Sequence, residues 1–235
     1  MTPYYQDEFA TIYNGNCKDI IQNLEKVDLL LTDPPYRQSM GGGGLIAKRS
    51  TYQSIGKTLS SFDISDYWTV LSQCTKNQHG YIFCSKNTLP ELCNKAIGQD
   101  LSWDILIYGK NNPIPMKNNR YLSSFEFLFF FRGKNCYWNN DANFKSYSKI
   151  KMTNSKPSKF DHPTEKDISI IKQIVEVSTD MNHTILDPFL GSGTTLIAAK
   201  QMGRKAIGIE LEEKYCEIAA KRLQETSKEN KIRFV

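Results

Sequence analysis

Short apolar runs alternate with amphipathic stretches along most of this chain, and that alternation sets the fold class. Val27–Thr32 (VDLLLT), Tyr81–Cys84 (YIFC) and Ile105–Tyr108 (ILIY) are short, nearly continuous apolar runs. A strand with one wet face would alternate polar and apolar residues; a strand buried on both faces does not. Between and after these runs, apolar residues recur at helical spacing. Asp63–Cys74 places Ile64, Tyr67, Trp68 and Leu71 on one face, and Leu89–Ile97 reads the same way. The rhythm continues as a helix over Ile168–Val177, a strand over Thr184–Leu186, a helix over Ser192–Gln201, a strand over Ala206–Ile209 and a helix over Glu213–Leu223. Strands separated by helices of about ten to fifteen residues predict an α/β fold: a doubly wound, mostly parallel sheet with helices on both faces. Phe125–Phe131 (FEFLFFF) is denser, and Arg132–Asn135 could turn a hairpin into Cys136–Trp138. That predicts an antiparallel hairpin at one edge of the sheet.

With 235 residues the chain reads as a single domain over 1–235, long enough to bury a core without disulfides or a structural metal. Two long irregular stretches interrupt it, Arg37–Lys57 with Gly41–Gly44, and Asn139–Lys159. Loops of that length are usually functional or disordered. No apolar run approaches the 18 residues of a membrane span, and Met1–Ala10 lacks the basic cap and apolar stretch of a signal peptide. The six cysteines, at 17, 74, 84, 93, 136 and 216, form no C-x-x-C and show no pairing rhythm. Reduced thiols in a cytoplasmic protein without a metal site are the expectation.

Charge is uneven. Residues 109–159 carry a net +8 and the rest of the chain −3, so one block owns the positive excess. That suggests a local polyanion-binding surface, against the plainer reading of a solvated basic face.

Two segments carry chemistry. Thr32-Asp33-Pro34-Pro35-Tyr36 follows directly on an apolar strand, so Asp33 stands at its carboxyl end, where open α/β sheets bind ligands. The two prolines force an extended turn and leave carbonyls without local helical partners. A carboxylate, a carbonyl and an aromatic face then share a rigid rim, on which a planar amino group could donate to both oxygens while Tyr36 stacks on its ring. The plainer reading is a strand-ending turn with a packed tyrosine. Asp187-Pro188-Phe189-Leu190-Gly191-Ser192-Gly193-Thr194-Thr195 forms a second strand-to-helix junction. Gly191 and Gly193 let a ligand approach the backbone, and the helix start favours an anionic group such as a carboxylate. Glu210, about 20 residues on at a strand end, is placed to bind ribose hydroxyls. No G-x-x-x-x-G-K-[ST] is present, which disfavours nucleoside triphosphate binding through that loop.

Together these segments resemble the permuted β group of S-adenosylmethionine-dependent DNA amino-methyltransferases, adenine-N6 type. In that family DPPY comes early and the D-P-F-x-G-S-G-T-T loop late, as at 33–36 and 187–195 here. His162-Pro163-Thr164-Glu165-Lys166 is similar to the family's H-P-T-[QE]-K segment, and Asn112–Pro115 through Arg120-Tyr121 resembles an N-P-x-P…R-Y stretch of small adenine-modifying members. Two positions depart from the pattern: Asn16 stands where an acidic residue is usual, and Asp167 where proline is common. The resemblance implies a Rossmann-like methyltransferase fold with a target-base half over 1–110, a basic recognition segment over 111–160 and a cofactor half over 161–235.

It also implies roles. Asp33, Pro34, Pro35 and Tyr36 would hold a flipped adenine. Asn16, Cys17, Asp33, Thr164, Lys166, Asp187, Pro188, Phe189, Gly191, Ser192, Gly193, Thr194, Thr195 and Glu210 would surround S-adenosylmethionine, with Thr164 and Lys166 toward its methionine end. Lys48, Arg49, Lys117, Arg120, Lys134, Lys145, Lys149 and Lys151 would meet double-stranded DNA. Asp33 and the Pro34 carbonyl, by accepting both N6 hydrogens, would free the nitrogen lone pair for attack on the cofactor's methyl. A cognate restriction endonuclease would be a companion, the enzyme would act as a monomer or homodimer, and no membrane would be involved. Cytosine-N4 methylation is the nearest rival, with RNA or protein-glutamine methylation and a non-catalytic nucleic-acid-binding module behind it. Every version of the enzyme reading requires the two strand-end turns to meet on one edge of the sheet.

Overall fold

The computed structural model describes residues 1–35, 63–110, 125–140, 150–153 and 166–226. Among these, nine strands form one sheet. In chain order they are β1 (Tyr5–Gln6), β2 (Ala10–Asn14), β3 (Leu29–Thr32), β4 (Gly80–Cys84), β5 (Ser102–Lys110), β6 (Phe125–Arg132), β7 (Ile150–Thr153), β8 (Thr184–Asp187) and β9 (Lys205–Glu210). Their spatial order is β1-β2-β9-β8-β3-β4-β6-β5-β7. The centre, from β2 through β9, β8 and β3 to β4, is parallel throughout. β6 then runs antiparallel to both β4 and β5, and β7 returns parallel to β5.

The apolar runs explain this centre. All four residues of β3 and all five of β4 are buried. Leu29 and Leu31 face one core with Phe83 and Ile185; Leu30 faces the other with Ile82 and Leu186. The first core is closed by α4 (Ile168–Ser178), α5 (Thr194–Gln201) and α6 (Glu213–Gln224), the second by α1 (Cys17–Ile21), α2 (Ser65–Gln73) and α3 (Leu89–Gly98). The predicted doubly wound sheet is therefore present. Local signals set the helix starts: Asn16 and Asp167 side chains cap α1 and α4 by accepting from Lys18 and Ser169 N–H, and Pro90 opens α3.

Four features differ from the sequence reading. The antiparallel edge pairs β6 with β5, not with 136–138, which form no strand. Both edges of β6 are taken by β4 and β5, so no ladder is left. The chain instead folds back, with Gly133 N–H donating to the Asn77 and Gln78 carbonyls. Second, Ile150–Thr153, inside the stretch read as irregular, adds an edge strand. Third, α5 starts at Thr194 rather than Ser192, because Gly193 adopts a left-handed φ of 88° ahead of it. Fourth, β1, β2 and α1 carried no clear sequence signal. β2 pairs with β9, which puts residues 5–14 beside β9 and β8, the strands that flank Gly191, rather than with the rest of 1–110. Among the described residues no helix is long and apolar enough to cross a membrane.

Phe131 has no exposed surface and its ring packs 5.1 Å from that of Trp68 and 6.1 Å from that of Phe129. Phe131→Ala should cost about 3–5 kcal/mol of stability, read as a lower urea midpoint at an unchanged slope.

Candidate active site

Parallel strands present their carboxyl ends on one edge, and β3 and β8 are neighbours in register, Leu29 opposite Ile185 and Leu30 opposite Leu186. The Asp33 turn leaves β3 and the Gly191 loop leaves β8 at that shared edge. A hydrogen bond ties them: Thr32 Oγ1 donates to Asp187 Oδ1 at 2.8 Å. The required meeting of the two turns, 155 residues apart in sequence, is thus observed.

Asp187 organises the loop. Its carboxylate is buried and also accepts from Phe189 N–H at 3.2 Å and from the Thr195 hydroxyl. Burial pushes its carboxyl up to about 6, the Asp33 charge adds to that, and the Thr195, Thr32 and Phe189 hydrogen bonds oppose it. Gly191 and Gly193 have φ of 54° and 88°, in the left-handed region that glycine tolerates. A Cβ on Gly193 would lie 2.8 Å from Ala219 Cβ of α6. The same helix braces the loop through Arg222, whose Nη1 donates to the Ser192 carbonyl at 2.7 Å and to Ser192 Oγ at 2.9 Å. Pro188, Ser192, Thr194 and Thr195 are buried, and the partly buried Phe189 ring meets Tyr67 edge-on, centroids 5.6 Å apart.

Glu210 ends β9 beside the loop. Its Oε2 accepts from Gly191 N–H at 2.8 Å and its Oε1 from Glu212 N–H at 2.9 Å. Burial raises its pKa above the ordinary carboxylate value, against the pull of those N–H groups. Asn14 pairs with Glu210 across the β2–β9 ladder, so Asn16 and Cys17 follow at the same edge. Asn16 Oδ1 accepts from Lys18 N–H at 3.0 Å, and the Cys17 thiol is buried and pushed up to about 11 by that burial.

On the target side, Pro34 is buried and Asp33 and Pro35 are partly buried. Lys166 stands just ahead of α4, at the Asp33 turn. Its Nζ lies 2.7 Å from Asp33 Oδ2 and 2.9 Å from Glu126 Oε2. Glu126 carries no role in the motifs of the sequence and stands within the apolar run Phe125–Phe131. The signal that could have found it is a single carboxylate inside an aromatic strand. Arg222 gave no such signal, since its contact is with a loop 30 residues away.

Lys134 does not join the site. β6 runs antiparallel, so its eight residues carry the chain roughly 25 Å from the Asp33 edge before Lys134 is reached. Lys151 lies on edge strand β7. Tyr36, Lys48, Arg49, Lys117, Arg120, Lys145, Lys149 and Thr164 fall outside the described residues, as does the Gly41–Gly44 loop. All six cysteines are free, and among the described residues no group of three or more His, Cys, Asp or Glu could hold a metal ion.

The fold and this shared edge define a Rossmann-like methyltransferase. Comparison with known proteins carries this to a family. Residues 27–221 match the DNA methylase family of N6 and N4 methyltransferases, and the chain belongs to it. It is 31% identical over 247 residues to the Type II methyltransferase M2.LlaDCHI of Lactococcus lactis subsp. cremoris, covering 94% of this chain and 91% of that one. Its structure is similar to that of the M1.HpyAVI–SAM complex, with a TM-score of 0.68 and 30% identity over 91% of this chain and all of the other. The PvuII DNA methyltransferase, cytosine-N4-specific, matches with a TM-score of 0.71 at 14% identity over 98% of this chain and 90% of that one, a likeness of fold alone. The chain is an S-adenosylmethionine-dependent DNA methyltransferase.

The Asp187 carboxyl gives a pH test. Its folded pKa is raised, so the stability it contributes is fully present below its ordinary value of 3.8 and is lost as pH rises through about 6. Denaturation of the protein and of Asp187→Asn at pH 4, 5, 6 and 7 should show the native side chain losing ground to the amide across that window.

Proposed function

We propose that the chain methylates the N6 amino group of an adenine flipped out of duplex DNA at a specific site. The observation that carries this reading is the adjacency of the Asp33 turn and the Gly191 loop, bridged by Thr32 and Asp187. The turn carries Asp33 rather than a neutral hydroxyl residue, so it offers a charged acceptor beside the Pro34 carbonyl. Two acceptors suit an amine that donates two hydrogens.

The residues of the loop fit the cofactor. The left-handed glycines shape a tight turn at a helix start, and Glu210 offers a carboxylate beside them for hydroxyl donors. Asp187, Pro188, Phe189, Gly191 through Thr195, Glu210, Asn16 and Cys17 would hold it. When bound, S-adenosylmethionine supplies a methyl group on a positively charged sulfur. Asp187 and Thr32 keep the loop and the acceptor turn at a fixed separation. Asp33 and the Pro34 carbonyl orient the amine, and such alignment can contribute about 7–11 kcal/mol to a transfer reaction. Flipping the base costs a few kcal/mol, of which stacking on Tyr36 would return about 1–3 kcal/mol. The basic block, through Lys117, Arg120, Lys145, Lys149 and Lys151, would meet phosphates, with Lys48 and Arg49 closing over the base. The partners proposed are duplex DNA and a cognate restriction endonuclease, with the enzyme acting as a monomer or homodimer.

Mass spectrometry of nucleosides from DNA incubated with enzyme and cofactor tests the reading. N6-methyladenine should accumulate, and Asp33→Ala should lower its rate on the order of a thousandfold. Accumulation of N4-methylcytosine alone would end the adenine assignment.

A further inference from the structure

Lys166 lies where three separate parts of the chain converge. Asp33 comes from the turn after β3, Glu126 from the start of β6, and Lys166 from the residue before the Asp167 cap of α4. The side chains are 27%, 15% and 12% exposed respectively. Besides its two carboxylate contacts, the Lys166 ammonium sits 4.8 Å from the centroid of the Phe83 ring. Burial alone would depress the lysine, yet the Asp33 and Glu126 charges outweigh it and hold Lys166 above its ordinary value. It is therefore an ammonium in this site.

We infer that Glu126 is a positioning residue for the Asp33 carboxylate, acting through Lys166. The inference rests on the proposed role of Asp33 as acceptor of the target amine. Prolines fix the backbone after Asp33 but leave its side-chain rotamers open. A charge-assisted hydrogen bond from Lys166 selects one of them. Lysine brings a flexible four-carbon stem, so it needs an anchor of its own. Glu126 and the Phe83 ring provide that anchor.

The test uses the full chain with Glu126→Gln, Glu126→Asp, Asp33→Asn and the Asp33→Asn/Glu126→Gln double variant. Calorimetry reads S-adenosylmethionine affinity, and single-turnover transfer of labelled methyl to duplex DNA reads the chemical step. Glu126→Gln should slow transfer roughly ten- to a hundredfold. It should leave cofactor affinity within about twofold, and Glu126→Asp should recover part of the rate. Melting temperatures of the two single variants and the double should be non-additive, since both carboxylates act on one lysine. Unchanged transfer, a cofactor-affinity loss as large as the rate loss, or additive melting shifts would overturn the inference. A wild-type chain that takes up cofactor but methylates no DNA would sink the functional reading instead, and the melting cycle would still decide the charge bridge.

Discussion

A buried hydrogen bond, from the Thr32 hydroxyl to the Asp187 carboxylate, ties the two halves of the site together. It can form because β3 and β8 are parallel neighbours that end at the same edge. A carboxylate at that depth is costly unless it is satisfied, and here Thr32, Phe189 and Thr195 all donate to it. The group that shapes the cofactor loop is thereby the group that registers it against the acceptor turn. The rest of the edge follows: Gly193 is pressed on Ala219, Arg222 grips Ser192, and Glu210 reaches back to Gly191 N–H.

The acceptor side is organised by charge rather than by packing. Lys166 sits among Asp33, Glu126 and the Phe83 ring, in a place too enclosed for an unpaired ammonium. The Gly191 loop, by contrast, is held by its backbone geometry, by donors to the Asp187 carboxylate and by the Arg222 guanidinium on Ser192. The braces on the two sides come from elements far apart in sequence, α6 for the loop and β6 for the turn.

Much of this was legible in the amino-acid order because its causes are local. Four consecutive buried residues make β3 conspicuous, and Asp33 and Asp187 are marked by the strands before them and the prolines after them. The features that escaped depend on partners that sequence does not name. β2 buries only Ala10 and Ile12 of five residues, too short an alternation to stand out, and is made a strand by β9. Cys136–Trp138 looked like the return arm of a hairpin, but β5 had already taken the edge of β6. Glu126 was hidden among phenylalanines, and its ion pair joins it to Lys166, 40 positions on.

The pairing of β2 with β9 joins residues such as Asn14 and Glu210, 196 positions apart. Contacts of that span close late, since a large loop must lose its freedom before any ladder bond rewards it. On a ribosome, β2 emerges early and must wait for nearly everything else to be made. Until β9 arrives, the strand that leads to Asn16 and Cys17 has no parallel neighbour. A chain that ends before β9 therefore lacks the strand that seats Asn14 opposite Glu210.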